Sequence, residues 1–307
     1  MSHRIGNWKM VSSNTGTYCS GYTPMLIGNS GLEVNHRIFP EDFVLKELLL
    51  DAYQLTNPSN NDIVYPFLPD GCVTIVFSFG DSSSFAHICG PITTGRKLSI
   101  ARHSTLFCLR LQPGAADWLD NSPANEITDD IVPLDTYLNS TDSFLHLLKH
   151  AESFHERIVF ALRILNGMNA ATYRRMPLLA HCTNIIQQRQ GAVRVSEIAA
   201  NAGCCGRYLD VLFQTRVGLS TKMYCDIARF QYSLREIIET KPSTILRTAV
   251  SHGYFDQAHM NRNYKKFAGC TASAMRCADS DAIAHMELPS IQFSEPGGNG
   301  KWRTSII

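Results

Sequence analysis

The spacing of apolar residues divides the chain into two unlike halves. From about Phe39 to Leu111 they come in short runs broken by Gly, Pro and Ser. FLPDGCVTIVFSFG (67–80) sets a Pro-Asp-Gly turn before the β-branched and aromatic run Val73 to Phe79, and AHICG and TLFCLRL (105–111) follow. Short runs of residues that suit a pleated surface predict the strands of a small sandwich or barrel. In DSFLHLLKHAESFHERIVFALRIL (142–165) the period lengthens to three or four, which predicts one amphipathic helix. NGMNAATYRRMP (166–177) interrupts it, and from Leu178 to Met275 the pattern is of short helices separated by glycine turns.

The predicted class is therefore α+β with two domains. A partly disordered arm (1–35) precedes a β-rich sandwich- or barrel-like domain ending in helices (36–170). A linker (171–180) leads to an all-α domain (181–276), and a mobile tail (277–307) closes the chain.

Composition removes several functional classes. Apolar residues make up 44% and charged residues 18%, ordinary for a globular protein. No run approaches the ~18–20 apolar residues of a membrane span, and the N-terminus lacks the apolar core of a secretory signal. The expectation is a soluble cytoplasmic protein with no membrane partner. The ten cysteines include no C-x-x-C pair; most sit in apolar runs, and vicinal Cys204-Cys205 is the exception. His146, His150 and His155 share a predicted helix, but H-E-x-x-H and further metal ligands are missing. With no nucleophile elbow, glycine-rich phosphate loop or deaminase zinc constellation, no enzyme activity, metal or cofactor is expected.

Charge is distributed unevenly. Residues 1–179 carry 13 basic and 17 acidic side chains (−4), residues 180–276 carry 13 and 6 (+7), and the last 31 carry 2 and 4 (−2). A basic module of this kind fits a polyanionic partner.

That basic module repeats itself. SEIAANAGCCGRYLDVLFQTRVG (196–218) runs alongside LRTAVSHGYFDQAHMNRNYKKFAG (246–269). Ala199, Ala200 and Gly203 correspond to Ala249, Val250 and Gly253 at a distance of 50; Leu209, Leu212, Phe213 and Gly218 correspond to Met260, Asn263, Tyr264 and Gly269 at 51. Each copy has small residues for a close helix crossing, a glycine that ends the first helix, and a second amphipathic helix closed by glycine. That is a helix-turn-helix, present twice.

From about Leu178 to Arg276 the sequence resembles the AraC/XylS family of bacterial transcription regulators. Gly253, Tyr254, Asp256, Gln257, His259, Met260, Arg262, Tyr264, Lys265 and Gly269 follow that family's signature, close to GF-x-D-Q-S-H-F-x-R-x-F-K-x-x-x-G. STKMYCDIARFQYSLREIIE (220–239) looks like the family's linker helix. The resemblance implies two recognition helices in successive major-groove turns of double-stranded DNA. It further implies an activator that meets RNA polymerase, with dimerisation or an unknown small-molecule effector acting through the N-terminal domain. The Pro-Asp-Gly turn and LRLQPGAADWL (109–119) resemble a sensor-type domain found in a subset of the family, in which Asp70, Arg110 and Gly114 could line an effector pocket as easily as form a turn and an ion pair.

Residue types select the expected DNA contacts. Met260, Tyr264 and Phe267 form the packing side of the second reader helix. Gln257, Asn261 and Arg262 suit base edges, with His259 on the flank and Lys265 and Lys266 placed for phosphates. Asp256 is positioned to cap the helix. In the first copy Arg207 and Tyr208 are suitable, and Gln214 lies on the same helix. Asp210 and Val211 depart from the family pattern: a carboxylate there suits only cytosine N4, and valine offers only apolar contact. The better reader is therefore expected in the second copy. Cys204-Cys205 reads as an unusual cap and a small filler.

Overall fold

The computed structural model describes residues 24, 31–40, 42–81, 83–120, 122–138, 141–168, 170–240, 244–277 and 286–291. Eight strands open the chain: β1 Glu33–Ile38, β2 Leu49–Asn57, β3 Ile63–Phe67, β4 Thr74–Phe79, β5 Ser84–Cys89, β6 Arg96–Ile100, β7 Ser104–Leu111 and, after the one-turn helix α1 (Asp117–Asp120), β8 Ile131–Pro133. Six of them form an antiparallel sheet in the order β1-β2-β7-β4-β5-β8. The helices α2 (Thr141–Lys149) and α3 (Phe154–Gly167) follow.

Strand alternation explains the layering. Phe107, Leu109 and Leu111 of β7 and Ile75, Phe77 and Phe79 of β4 join a core with Phe144, Leu148, Ile158 and Leu165 of α2 and α3. Leu106, Cys108 and Val76, of opposite parity, pack with Tyr65, Leu98 and Ile100 of the smaller sheet. Both faces of the main sheet are covered, so β4 and β7 read as nearly unbroken apolar runs rather than alternating ones. The β-rich domain is thus sandwich-like, a main sheet with the small sheet on one face, and helices cover the other face.

The helix expected over 142–165 is two helices. Ser153 adopts extended backbone and accepts from Glu156 N, while Glu156 Oε2 accepts from Glu152 N at 2.7 Å. This reciprocal cap starts a new helix, although the apolar period runs on through the break.

The C-terminal half contains α4 (Pro177–Gln188), α5 (Val195–Asn201), α6 (Gly206–Val217), α7 (Thr221–Thr240), α8 (Ile245–Ser251), α9 (Gln257–Ala268) and α10 (Ala272–Cys277) around a single core. The tail expected to be mobile is anchored over its described part. Met286 is buried in that core, and β9 (Ser290–Ile291) pairs in parallel with β6 to complete the small sheet, β3-β6-β9. Most of the expected N-terminal arm lies outside the described residues, but its last residues begin β1, which pairs with β2 from Glu33 onward.

Arg110 and its partners form a charged cluster inside the N-terminal domain. Its Nη1 donates to Asp51 Oδ2 at 3.0 Å and its Nε lies 3.1 Å from Asp70 Oδ2. His36 Nε2 lies 2.9 Å from the same Asp51 oxygen, and the guanidinium stacks over the Tyr53 ring. Burial works against the arginine's charge, yet Asp51 and Asp70 hold its pKa well above the ordinary value. Removing the charge strands two buried carboxylates. Arg110→Met is expected to lower the urea-unfolding free energy of the full chain by about 3–5 kcal/mol, and a loss under about 1 kcal/mol would contradict a mutually dependent cluster.

Candidate nucleic-acid interface

Each helix-turn-helix is built the same way. In the first, α5 ends at a turn in which Gly203 takes φ +64°, and Cys205 is the N-cap of α6. Cys205 makes no side-chain cap bond, while Cys204 is half-buried against the core. In the second, α8 ends at a turn in which Gly253 takes φ +68°, and Asp256 Oδ1 caps α9 by accepting from His259 N at 2.6 Å. The left-handed conformation at both glycines disfavours a Cβ, so the repeat keeps glycine at both turns.

α7 holds the two reader helices. Its Tyr224 packs against Phe213 of α6, with ring centroids 5.6 Å apart. Its Phe230 packs against Tyr264 and Phe267 of α9 at 5.0 and 5.3 Å. Ser233 Oγ lies 3.0 Å from Tyr264 Oη, and Glu236 of α7 accepts from Thr248 of α8 and lies 2.7 Å from His252 Nε2. α7 is 20 residues long, so one continuous helix carries the contacts to α6, α8 and α9.

The buried side of α9 is Met260, Tyr264 and Phe267, leaving Arg262, Lys265 and Lys266 exposed and Gln257, His259 and Asn261 half-buried. On α6, Arg207, Tyr208, Val211 and Gln214 are exposed; Tyr208 is 46% and Val211 51% accessible. His259 packs edge-on to Tyr254 at 5.5 Å, and burial together with Arg229 lowers its pKa. Phe255, at an unrestricted position of the signature, stands 90% exposed beside the start of α9. The motif gave no reason to single it out.

Asp210 and Asn261, both expected on the DNA-facing helices, also have structural roles. Asp210 Oδ1 accepts from Thr221 N at 2.9 Å, and Ser220 Oγ accepts from Met223 N, so both cap α7. Asn261 Oδ1 accepts from Ala272 N at 3.2 Å, and Thr271 Oγ1 accepts from Ala274 N, so both cap α10. The repeat thus extends into the following helix, and the contrast between Asp210 and Asn261 is one of shared role. The contrast between Val211 and Arg262 remains. Asp70 and Arg110 are both buried and lie against each other, the turn and ion pair that the sequence also allows.

The N-terminal domain and the tail that returns to it hold this assembly at several places. Residues around Asp70 reach α7: Pro69 O accepts from Gln231 Nε2 at 2.6 Å, Leu68 joins the C-terminal core, and a Cβ on Gly71 would lie 2.8 Å from the Tyr224 ring. At the end of α6, Gly218 O accepts from Thr128 Oγ1 at 2.6 Å, and Arg216 pairs with Asp117 of α1. At the end of α9, Gly269 O accepts from Glu287 N at 3.1 Å just before β9.

Comparison with known families decides the class. A family model described as a helix-turn-helix domain matches residues 198–278, the segment from α5 to the end of α10 that holds both units. The C-terminal domain is an AraC-type helix-turn-helix domain. The protein is accordingly a DNA-binding transcription regulator. A second model, a domain of unknown function (DUF6597), matches residues 44–133, most of the sheet that grips the AraC-type domain. No curated protein matches the chain. Among solved structures, the C-terminal domain of AraT, a response regulator from Geobacillus stearothermophilus, is 19% identical, with a TM-score of 0.31 over 33% of this chain and 84% of that one. Unsaturated fatty acid bound ToxT from Vibrio cholerae is 10% identical, with a TM-score of 0.38 over 81% of this chain and 95% of that one. Such scores are too low for the neighbours' sites or ligands to be carried over. Among the described residues, no helix is long and apolar enough to cross a membrane.

The shared cap makes a specific expectation. Asp210→Ala removes the bond to Thr221 N and is expected to cost about 1 kcal/mol of stability, measured by urea unfolding. Asp210→Asn, which installs the residue that the second unit uses, is expected to cost less than half as much. Equal losses would contradict the assigned role.

Proposed function

We propose that the protein is a sequence-specific regulator of transcription whose α6 and α9 enter successive major-groove turns on one face of double-stranded DNA. The observation that carries this reading is the pair of exposed reader faces fixed to one continuous helix, within the +7 segment. Arg262 and Gln257 of α9 are assigned to base edges, with Arg262 suited to guanine and Gln257 to adenine. Lys265 and Lys266 hold phosphates, supplying affinity and register. On α6, Arg207, Tyr208 and Gln214 face the groove, and Val211 meets a thymine methyl. His259 braces the start of α9 against Tyr254. Asp210 and Asn261 set the directions of the helices that follow the readers.

The protein acts in the bacterial cytoplasm as an activator that meets RNA polymerase, and its N-terminal domain dimerises or senses an effector. A second reading, a regulator with degraded specificity that works through protein contacts, rests on Asp210 and Val211. Asp210's bond to Thr221 N removes half of its motive.

Mobility-shift titration against promoter fragments tests the assignment. Arg262→Ala is expected to weaken specific binding by about 1–3 kcal/mol and relax preference at one position. Lys266→Ala is expected to weaken binding to all sequences alike and to lower the salt slope by about 1. A silent Arg262→Ala, or equally tight binding to unrelated DNA, would sink the reading of α9.

A further inference from the structure

The N-terminal domain contains a cavity of about 550 Å³ away from both reader faces, where α1, the segment after β8, α2 and α3 meet. Trp118, Tyr137, Phe144, Leu147, Ile164 and Met168 form its apolar walls. Among the described residues, no charged side chain belongs to the lining; the polar side-chain atoms there are the hydroxyls of Ser143 and Tyr137 and the indole N–H of Trp118. An ionised group pressed against these walls would lose hydration without gaining a counter-charge. Three aromatic rings supply faces and edges for another ring. The volume falls within the ~300–1,000 Å³ range of small-molecule sites. Nine described residues line it, against roughly 20–30 on each side of a stable protein–protein interface, which favours a small ligand over a second copy of the chain.

We propose that this cavity binds a neutral, largely aromatic small molecule, and that its occupancy is transmitted to α6. The connection is covalent and short. Trp118 and Leu119 line the cavity from α1, and the preceding residue, Asp117, pairs with Arg216 in the last turn of α6. Asp117 also accepts from Tyr173 Oη at 2.5 Å, so α1 is tied on both sides. A ligand that displaces Trp118 moves the carboxylate on which the end of α6 rests. That α6 reads DNA and that this domain senses an effector belong to the proposed function, and the regulatory meaning of the site rests on that reading.

The test needs no DNA. The full chain is titrated with N-phenyl-1-naphthylamine, a neutral aromatic probe whose emission rises in apolar surroundings. One saturable site per chain is expected, with binding at least tenfold weaker in Leu147→Glu and in Ser143→Trp. Both substitutions fall on exposed lining positions and are expected to leave the unfolding midpoint unchanged. The sulfonated analogue 8-anilinonaphthalene-1-sulfonate is expected to bind at least tenfold more weakly than the neutral probe. At saturation, hydrogen exchange of amides 206–217 is expected to change at least threefold in the native chain and to stay unchanged in Leu147→Glu. Absence of saturable binding, or native affinity in both variants, would remove the site. Equal affinity for the sulfonate would overturn its neutral character. Probe binding that dissociates a dimer formed through Leu147 would make the cavity an interface between copies. Binding without any change at 206–217 would overturn the link to α6. DNA affinity, measured separately, then decides the regulator reading on its own.

Discussion

Two reader helices can meet successive turns of a duplex only if something stiff holds them one helical repeat apart. The stiff element that joins α6 and α9 is α7: Tyr224 packs against Phe213 and, six residues further along, Phe230 packs against Tyr264 and Phe267. These rings are essentially fully buried, so either reader can tilt only by opening the core. Asp210 and Asn261 add direction: each ties its reader to the start of the next helix, so the two units share geometry as well as sequence.

The N-terminal domain takes hold of this rigid frame at its working ends. Thr128 and Asp117 meet the end of α6, Glu287 meets the end of α9 before the chain returns to β6, and the turn around Asp70 lies against α7. Asp70 is pinned in turn by Arg110, which joins the turn to β2 through Asp51. The sheet domain is thereby attached directly to α6 and α7 and, through the tail, to α9.

Much of this was legible in the sequence, for identifiable reasons. The doubled unit, the inward Met260, Tyr264 and Phe267, the cap at Asp256 and the left-handed turns at Gly203 and Gly253 are all short-range features, set by helical period and local backbone sterics. Contacts made across a turn were less visible. Asp210 meets Thr221 N only because the chain folds back after Gly218, and composition alone made its carboxylate look misplaced on a DNA-facing helix. The helix break at Ser153 was hidden because the apolar period continues through it, although S-x-x-E at 153–156 signalled a start. The return of residues 286–291 to the small sheet could not be read from a polar, proline-bearing tail, since its pairing partner β6 lies almost two hundred residues upstream.

The central claim is that one helix holds two readers one helical repeat apart on one face of DNA. Hydroxyl-radical footprinting of the protein on its highest-affinity promoter fragment measures this directly. The account predicts two protected patches on the same face, centred about 10 base pairs apart. A single patch, or two patches on opposite faces, would contradict it.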